Sequence, residues 1–322
     1  MQKKINVGII GKNFGYNVIY NSILNKKLFN VRGFSFRDIS KKIALTKNVK
    51  IYQNWKKLIS DNNINAVIIS TPPFTHEKII LYAISKNKHI FCEKPVTTSQ
   101  SALSKICRKL KNKKIINMVN YEFLNIDAFN FFRNKIIKKK IIKKVTVNWF
   151  IKIPKNNRSK WKDEHKQGGG NFFNYISHSF YYLEKLLGKL IIKKIYSNNK
   201  MKIFNFKSYM QVEKKEINVA LNFKSSLMTQ RFKSKHEIKF LTNKGTFILK
   251  TKINNLYDQF YLTKGKKILF KPKKKLKDFR ITPTLVNLRK FRKSILNNQN
   301  LSPNFDDAKR IHFLISKINT RR

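Results

Sequence analysis

Acidic residues are the scarce component of this chain: 16 Asp and Glu stand against 71 Lys and Arg in 322 residues, a formal charge of +55. So lopsided a balance ordinarily points to a polyanionic partner. Two features argue otherwise. The lysines are spread along the chain, with the densest cluster from Lys271 to Lys277, so no single basic arm exists. The excess also accompanies heavy use of Ile, Asn, Phe and Tyr. Like Lys, these residues have codons made wholly or mainly of A and T, whereas Asp and Glu codons begin with G. An AT-rich genome yields this composition without selection for binding. No specific nucleic-acid partner is therefore expected, although the charge alone implies weak, salt-sensitive binding.

Cysteine is almost missing. Cys92 and Cys107 have neither metal-ligand spacing nor the numbers for a disulfide framework, so no metal site is expected. No apolar run reaches about 18 residues, which excludes a membrane-spanning helix. Met1 to Val7 passes straight into a strand-like segment and lacks the apolar centre of a signal peptide. These absences read together as a soluble protein of a reducing cytoplasm. The length carries a prior of about two domains.

What is present alternates. Residues 4–10 read as a buried parallel strand running into Gly11-Lys12-Asn13-Phe14-Gly15 and a helical stretch from Val18 to Leu24. A strand follows from Asn30 to Phe36, then a helix from Tyr52 to Ile59. Ile64 to Ser70 is a strand ending in Thr71-Pro72-Pro73, with a helix from Glu77 to Ser85. His89 to Cys92 is a strand, Ser99 to Leu110 a helix, and Ile115 to Val119 a strand. This order implies βαβ units and a doubly wound parallel sheet over residues 1–120.

Residues 121–322 change pattern. A helix at 127–137 leads to strands at 145–153, 190–196, 217–223, 228–232, 236–242, 246–249 and 259–262, with closing helices at 284–296 and 306–318. Successive alternating strands imply an α+β domain with a large, mostly antiparallel sheet.

Three stretches carry chemistry. The first glycine turn, placed between a strand and a helix, brings backbone N–H groups towards a pyrophosphate. Its middle glycine is replaced by Asn13, the next-best residue for a left-handed conformation. The second strand ends in Ser35-Phe36-Arg37-Asp38, with no carboxylate at its tip, where a ribose-binding acid would sit; Arg37 either suits a 2′-phosphate or is one basic residue among many. The second stretch is Phe91-Cys92-Glu93-Lys94-Pro95, where Pro95 biases Lys94 away from helix and presents its ammonium at the sheet's C-terminal edge. Alone it also reads as a surface Glu-Lys pair. The third is Gly168-Gly169-Gly170-Asn171, a close backbone approach with Asn171 as N-cap, followed by Asn174 and His178 at helical i, i+4 spacing. His76 lies either near a cofactor or in a structural role at a helix start.

Taken together, these stretches resemble the Gfo/Idh/MocA oxidoreductases over essentially the whole chain. The resemblance implies a Rossmann domain binding NAD or NADP and a second domain whose sheet forms a homo-oligomer (dimer or tetramer) interface. It also implies reversible hydride transfer with a sugar, sugar derivative or cyclitol. By that likeness Gly11, Asn13, Phe14, Gly15, Ser35, Arg37, Thr71, Pro72, His76, Glu93 and Lys94 line the cofactor. Lys94 contacts the substrate hydroxyl, His178 is the general acid/base with Asn174 beside it, and Trp161 and Lys162 sit on the substrate side. Arg37 tilts the cofactor towards NADP. Two departures, Asn13 for glycine and Asn174 for the usual Asp, leave open a non-catalytic cofactor- or sugar-binding protein on the same scaffold.

Overall fold

The computed structural model describes residues 4–24, 28–37, 44–137, 140–153, 160–200, 203–227, 233–252, 260–272 and 278–319. The chain divides into two compact units, the first comprising residues 1–122, 161–174 and 280–313, the second residues 123–160, 175–279 and 314–322.

The first unit is built on six strands: β1 (Asn6–Ile10), β2 (Asn30–Ser35), β3 (Lys50–Tyr52), β4 (Ala66–Ile69), β5 (His89–Cys92) and β6 (Asn117–Val119). They lie in the order β3-β2-β1-β4-β5-β6, each pairing parallel with its neighbour. The order reverses beside β1, the switch point at which doubly wound sheets bind ligands. Between strands run α1 (Asn21–Leu24), α2 (Trp55–Ser60), α3 (His76–Ser85) and α4 (Gln100–Leu110), and α7 (Ile281–Leu296) packs on the same sheet. β4 is Ala-Val-Ile-Ile with every residue buried, as a strand covered on both faces must be. Phe291 of α7 meets Phe91 at 5.6 Å and Phe29 at 6.2 Å between ring centroids, joining the helix to the core of Val7, Ile9, Phe34 and Ile68.

The second unit carries eight strands: β7 (Ile142–Ile153), β8 (Leu190–Lys200), β9 (Ile203–Val212), β10 (Asn218–Leu227), β11 (Lys235–Thr242), β12 (Gly245–Lys250), β13 (Tyr261–Lys264) and β14 (Lys267–Phe270). Their order is β14-β13-β12-β11-β7-β10-β9-β8, antiparallel except where β10 runs parallel to β7. α5 (Asp127–Phe131) and α6 (Ser177–Leu187) bring aromatic rings to the sheet's covered face, as in Phe129 on Phe260 at 5.0 Å and Tyr182 beside His236 at 6.1 Å. Gly188, at φ 120°, ends α6 as its sequence position implies.

The fold class is as expected, with local corrections. Tyr52 closes β3 instead of opening a helix; α2 starts later, because the Asn54 side chain accepts from Lys56 N at 2.8 Å and caps it. β9 is a full strand where no strand is expected, and its alternate residues Phe204, Phe206, Ser208, Met210 and Val212 are the buried ones. β14 likewise follows the Lys264–Lys267 turn, paired to β13. The expected strand at 228–232 lies outside the described residues. The helix at 127–137 is α-helical only to Phe131 and continues as a wider π-type turn at Phe132–Ile136.

Candidate active site

β1 delivers Gly11 at φ 114°, where a side chain is strained, and a Cβ there would stand 2.7 Å from the Ser70 carbonyl at the end of β4. Helical backbone begins at Asn13 and continues through a π-type turn, Gly15–Tyr20, into α1. Asn13 is therefore exposed and helical, not left-handed, so nothing in the backbone calls for glycine at this position. Its first-turn N–H groups lack intrahelical acceptors by geometry, the ordinary arrangement at an anion-binding helix start. Cations gather around them: the Arg280 guanidinium lies 5.3 Å from the Phe14 ring centre and Lys12 Nζ 5.1 Å from that of Phe36. Ser35 is buried at the end of β2, whereas Arg37 is exposed. These donors and cations suit a dinucleotide's phosphates.

β5 ends beside this turn, its sheet neighbour β4 lying next to β1. Lys94 Nζ donates to the Asn174 carbonyl at 2.9 Å. The carboxylate of Glu93 accepts from Asn120 Nδ2 at 2.6 Å. Burial, and then the charge of Glu122, push the Glu93 carboxyl up. Burial pulls the Lys94 ammonium down, opposed by Glu122 and Glu93 and reinforced by Lys162 and Arg280. Glu122 itself is almost fully buried. Lys94 is thus a half-buried cation whose charge Glu122 and Glu93 favour, which sets aside the surface-pair alternative.

His76 locks this loop. Its ring is buried, with Nε2 2.8 Å from the Thr71 carbonyl oxygen, Nδ1 3.0 Å from that of Pro95, and Cys92 Sγ at 3.4 Å from Nδ1. Both ring nitrogens are spent on backbone, which is the structural role foreseen for a helix-start histidine. Burial holds its pKa down at about 4, although the carbonyls favour the charged form. Thr71 Oγ1 meets Thr75 Oγ1 at 2.7 Å, and the Thr75 hydroxyl donates to the Pro72 carbonyl, fixing the turn between.

The triple glycine is required at each position. Gly168 and Gly170 have φ of 80° and 76°, and a Cβ on Gly168 would come 2.6 Å from Pro73. A Cβ on Gly169 would overlap the Trp161 carbonyl oxygen. Trp161 and Lys162 therefore lie directly against this turn. Asn171 falls inside the first helical turn and does not cap it, and residues 172–176 form a π-type turn. The Asn174 amide donates to the Lys162 carbonyl at 3.1 Å, a bond that ties the glycine turn together.

Residues 5–121 match the family model described as "Oxidoreductase family, NAD-binding Rossmann fold". Over this first domain the chain is similar to the Gfo/Idh/MocA oxidoreductases. An uncharacterised oxidoreductase of Synechocystis is 25% identical over 191 residues, 57% of this chain and 52% of that protein. The chain thus spans about half, or less, of the length of the curated relatives it matches. Among solved structures, levoglucosan dehydrogenase in complex with NADH superposes with a TM-score of 0.80 at 15% identity, covering 99% of this chain and 96% of the other. KijD10, a 3-ketoreductase from Actinomadura kijaniata in complex with NADP and TDP-benzene, gives 0.77 at 14%, covering 99% and 98%.

The second unit holds His178 in an aromatic nest. Its ring lies 4.6 Å from Phe123 and 6.5 Å from Trp149 between centroids, and the side chain is buried. Behind it, His236 stacks on Trp149 at 4.0 Å and meets the Tyr182 hydroxyl at 3.1 Å; burial lowers its pKa to about 3. Sequence reading does not single out Trp149, Tyr182 or His236, nor Asn120, Glu122 and Arg280 in the first unit. For Asn120 and Glu122 a signal was available, since both directly follow β6 at the edge that carries Lys94.

No helix among the described residues is long and apolar enough to cross a membrane, and no group of His, Cys, Asp and Glu there is arranged to hold a metal ion.

Proposed function

We propose that this protein is an NAD(P)-dependent oxidoreductase acting on a CH–OH carbon of a sugar, sugar derivative or cyclitol. The observation that carries the reading is the half-buried Lys94 at the sheet's C-terminal edge, held on the Asn174 carbonyl and flanked by Glu93 and Glu122. When bound, the nicotinamide supplies the hydride acceptor or donor. Lys94 donates a hydrogen bond to the reacting oxygen, with Glu93 as its negative partner. His178 takes up or returns the hydroxyl proton. Asn174 acts through its backbone carbonyl, as a positioning residue for Lys94. Trp161 and Lys162 bound the substrate.

The first-turn N–H groups at Asn13, Phe14 and Gly15, beyond Gly11, receive the pyrophosphate. Thr71 and Pro72 line the cofactor, and His76 holds their turn in place. Ser35 and Arg37 meet the adenosine ribose. With no carboxylate at Ser35-Phe36-Arg37 and with Arg37 exposed, the preference is for NADP over NAD. The open face of the eight-stranded sheet exposes Tyr196, Tyr209 and Leu241, which supports a homo-oligomer of two or four copies. The free cysteines fit a cytoplasmic protein.

The test pairs calorimetry with NADH and NADPH against turnover on a panel of sugars and polyols. Lys94→Ala is expected to lose about 10²-fold or more in kcat while Tm stays within about a few degrees, since a charge at a binding edge contributes little packing. Binding of neither cofactor, or normal turnover by Lys94→Ala, overturns the proposal. A second reading, a cofactor- or sugar-binding protein without turnover, is favoured by the Asn174 amide being engaged with Lys162; cofactor binding with no turnover on any substrate selects it.

A further inference from the structure

Asn120 directly follows β6 and is fully buried. Its backbone N–H donates to the Cys92 carbonyl at 2.9 Å, and its side chain is saturated. Nδ2 donates to Glu93 Oε1 at 2.6 Å and to Thr284 Oγ1 at 3.1 Å, while Oδ1 accepts from Asn287 Nδ2 at 3.0 Å. An amide offers two N–H donors and one oxygen, and all are used here. An ionised Glu93 carboxylate fixes which way it faces, since it can accept only from the amide nitrogen, and this leaves Oδ1 for Asn287 Nδ2. Thr284 and Asn287 are one turn apart on α7 and are themselves fully buried, on a helix whose neighbouring buried residues are Leu285, Leu288 and Phe291. Three buried polar side chains among apolar ones are costly unless every group is paired, and apolar residues would fill the space more simply. The network ends at the residue next to Lys94.

We propose that Asn120, oriented by Asn287, is a positioning residue that fixes the Glu93 carboxylate as the negative partner of Lys94. The inference rests on the role proposed for Lys94 above. Glu93 faces Glu122, Lys94 and Arg280, and the Asn120 hydrogen bond favours its ionised form against burial. Lys94 faces Glu122 and Glu93, which favour its charge, and Lys162 and Arg280, which oppose it together with burial. Removing the Asn120 donor lets Glu93 keep its proton to higher pH. The negative charge beside Lys94 is then lost, and the ammonium gives up its proton at lower pH.

The experiment measures the titration midpoint of Lys94 by competitive acetylation with peptide mass spectrometry, together with the alkaline limb of kcat. In Asn120→Leu both are expected to move down by about one unit, with cofactor affinity unchanged. Asn287→Asp sets a carboxylate against the Asn120 oxygen and turns the amide end for end, so the same downward shift is expected without touching Asn120. Thr284→Val keeps shape and the Glu93 bond; its Lys94 midpoint is expected to stay while Tm falls. A Lys94 midpoint unmoved in both Asn120→Leu and Asn287→Asp overturns the proposal, as does an equal shift in Thr284→Val. Should Asn120→Leu not fold, Asn287→Asp against Thr284→Val decides. If the natural protein turns over no substrate, the acetylation still reads the network, so failure of this inference and failure of the activity are separate results.

Discussion

Gly169→Ala probes whether the triple glycine holds the machinery around Lys94. Gly169 does not have a positive φ, so alanine is conformationally acceptable and the perturbation is purely steric. The added Cβ would overlap the Trp161 carbonyl oxygen and stand 2.7 Å from the Lys162 carbonyl, all rigid backbone. Ordinary contacts need about 3.5–4.0 Å, so the 161–162 and 168–170 segments must part by more than about 1 Å. Two bonds span that region: Asn174 Nδ2 to Lys162 O at 3.1 Å and Lys94 Nζ to Asn174 O at 2.9 Å. Either, lengthened by about 1 Å, passes beyond hydrogen-bonding range. Overpacking of this kind costs about 1–3 kcal/mol, and a misplacement of about 1 Å costs about 10²-fold in rate.

The assay is thermal unfolding beside steady-state kinetics, with Gly265→Ala as control. Gly265 has φ 56° and nothing within 4 Å of a built Cβ. It therefore carries only the backbone penalty of about 1–2 kcal/mol and should leave kcat alone. A Gly169→Ala protein with natural kcat and Tm would refute the reasoning. So would a Gly265→Ala protein with an equal loss of kcat, since global destabilisation would then explain both.

Arg37→Ala is expected to weaken NADPH more than NADH in calorimetry; equal losses remove the argument for a 2′-phosphate contact. Phe291→Ala, which empties a site among Phe29 and Phe91, should cost about 3–5 kcal/mol in denaturant unfolding, and a loss under about 1 kcal/mol would show that α7 is not a core element. His312 is buried on Phe173, 4.9 Å between rings, and neither ring nitrogen has a hydrogen-bond partner among the described residues. Burial lowers its pKa from 6.5 to about 4, so the unfolded chain binds its proton first. The stability this provides is present above pH 6.5 and is lost as pH falls towards 4, about 3 kcal/mol in all. His312→Leu should therefore be at least as stable at pH 7 and lose less stability on acidification, and an unchanged acid slope would show that His312 does not titrate as the buried group.

Lys94 was legible because its signal is contiguous: a strand, a charged pair and a proline within a few residues. The network behind it was not, since Asn120 meets Thr284 and Asn287 across 164 and 167 residues of chain. Nothing local marks a buried asparagine on an amphipathic helix as a strut for a distant carboxylate. Asn13 shows the opposite failure. Its residue type suggested left-handed backbone, but helical backbone already begins at Asn13, ahead of the start expected at Val18, and a helical asparagine needs no special conformation. The π-type turn at Phe172–Ile176, ahead of α6, leaves no trace in a hydrophobic pattern.

The scarcity of carboxylates sharpens the reading of the site. Where Asp and Glu persist, several have tasks that a lysine could not perform. Asp61 accepts from the Tyr52 hydroxyl and from Asn63 N. Glu184 accepts from Leu190 N, where the chain leaves α6 for β8. Asp307 accepts from Asn304 N while Asn304 accepts from Asp307 N, a reciprocal cap on the helix Phe305–Asn319. Glu77 and Lys105 form an exposed pair of the kind that contributes about 0–1 kcal/mol. Two of the 16 carboxylates, Glu93 and Glu122, nonetheless lie beside one lysine and beside each other, at a cost in desolvation and mutual repulsion. A surface ion pair would need one carboxylate and no burial. Burial and the neighbouring Glu122 push the Glu93 carboxyl up to about 8, while both carboxylates oppose the burial that pulls the Lys94 ammonium down.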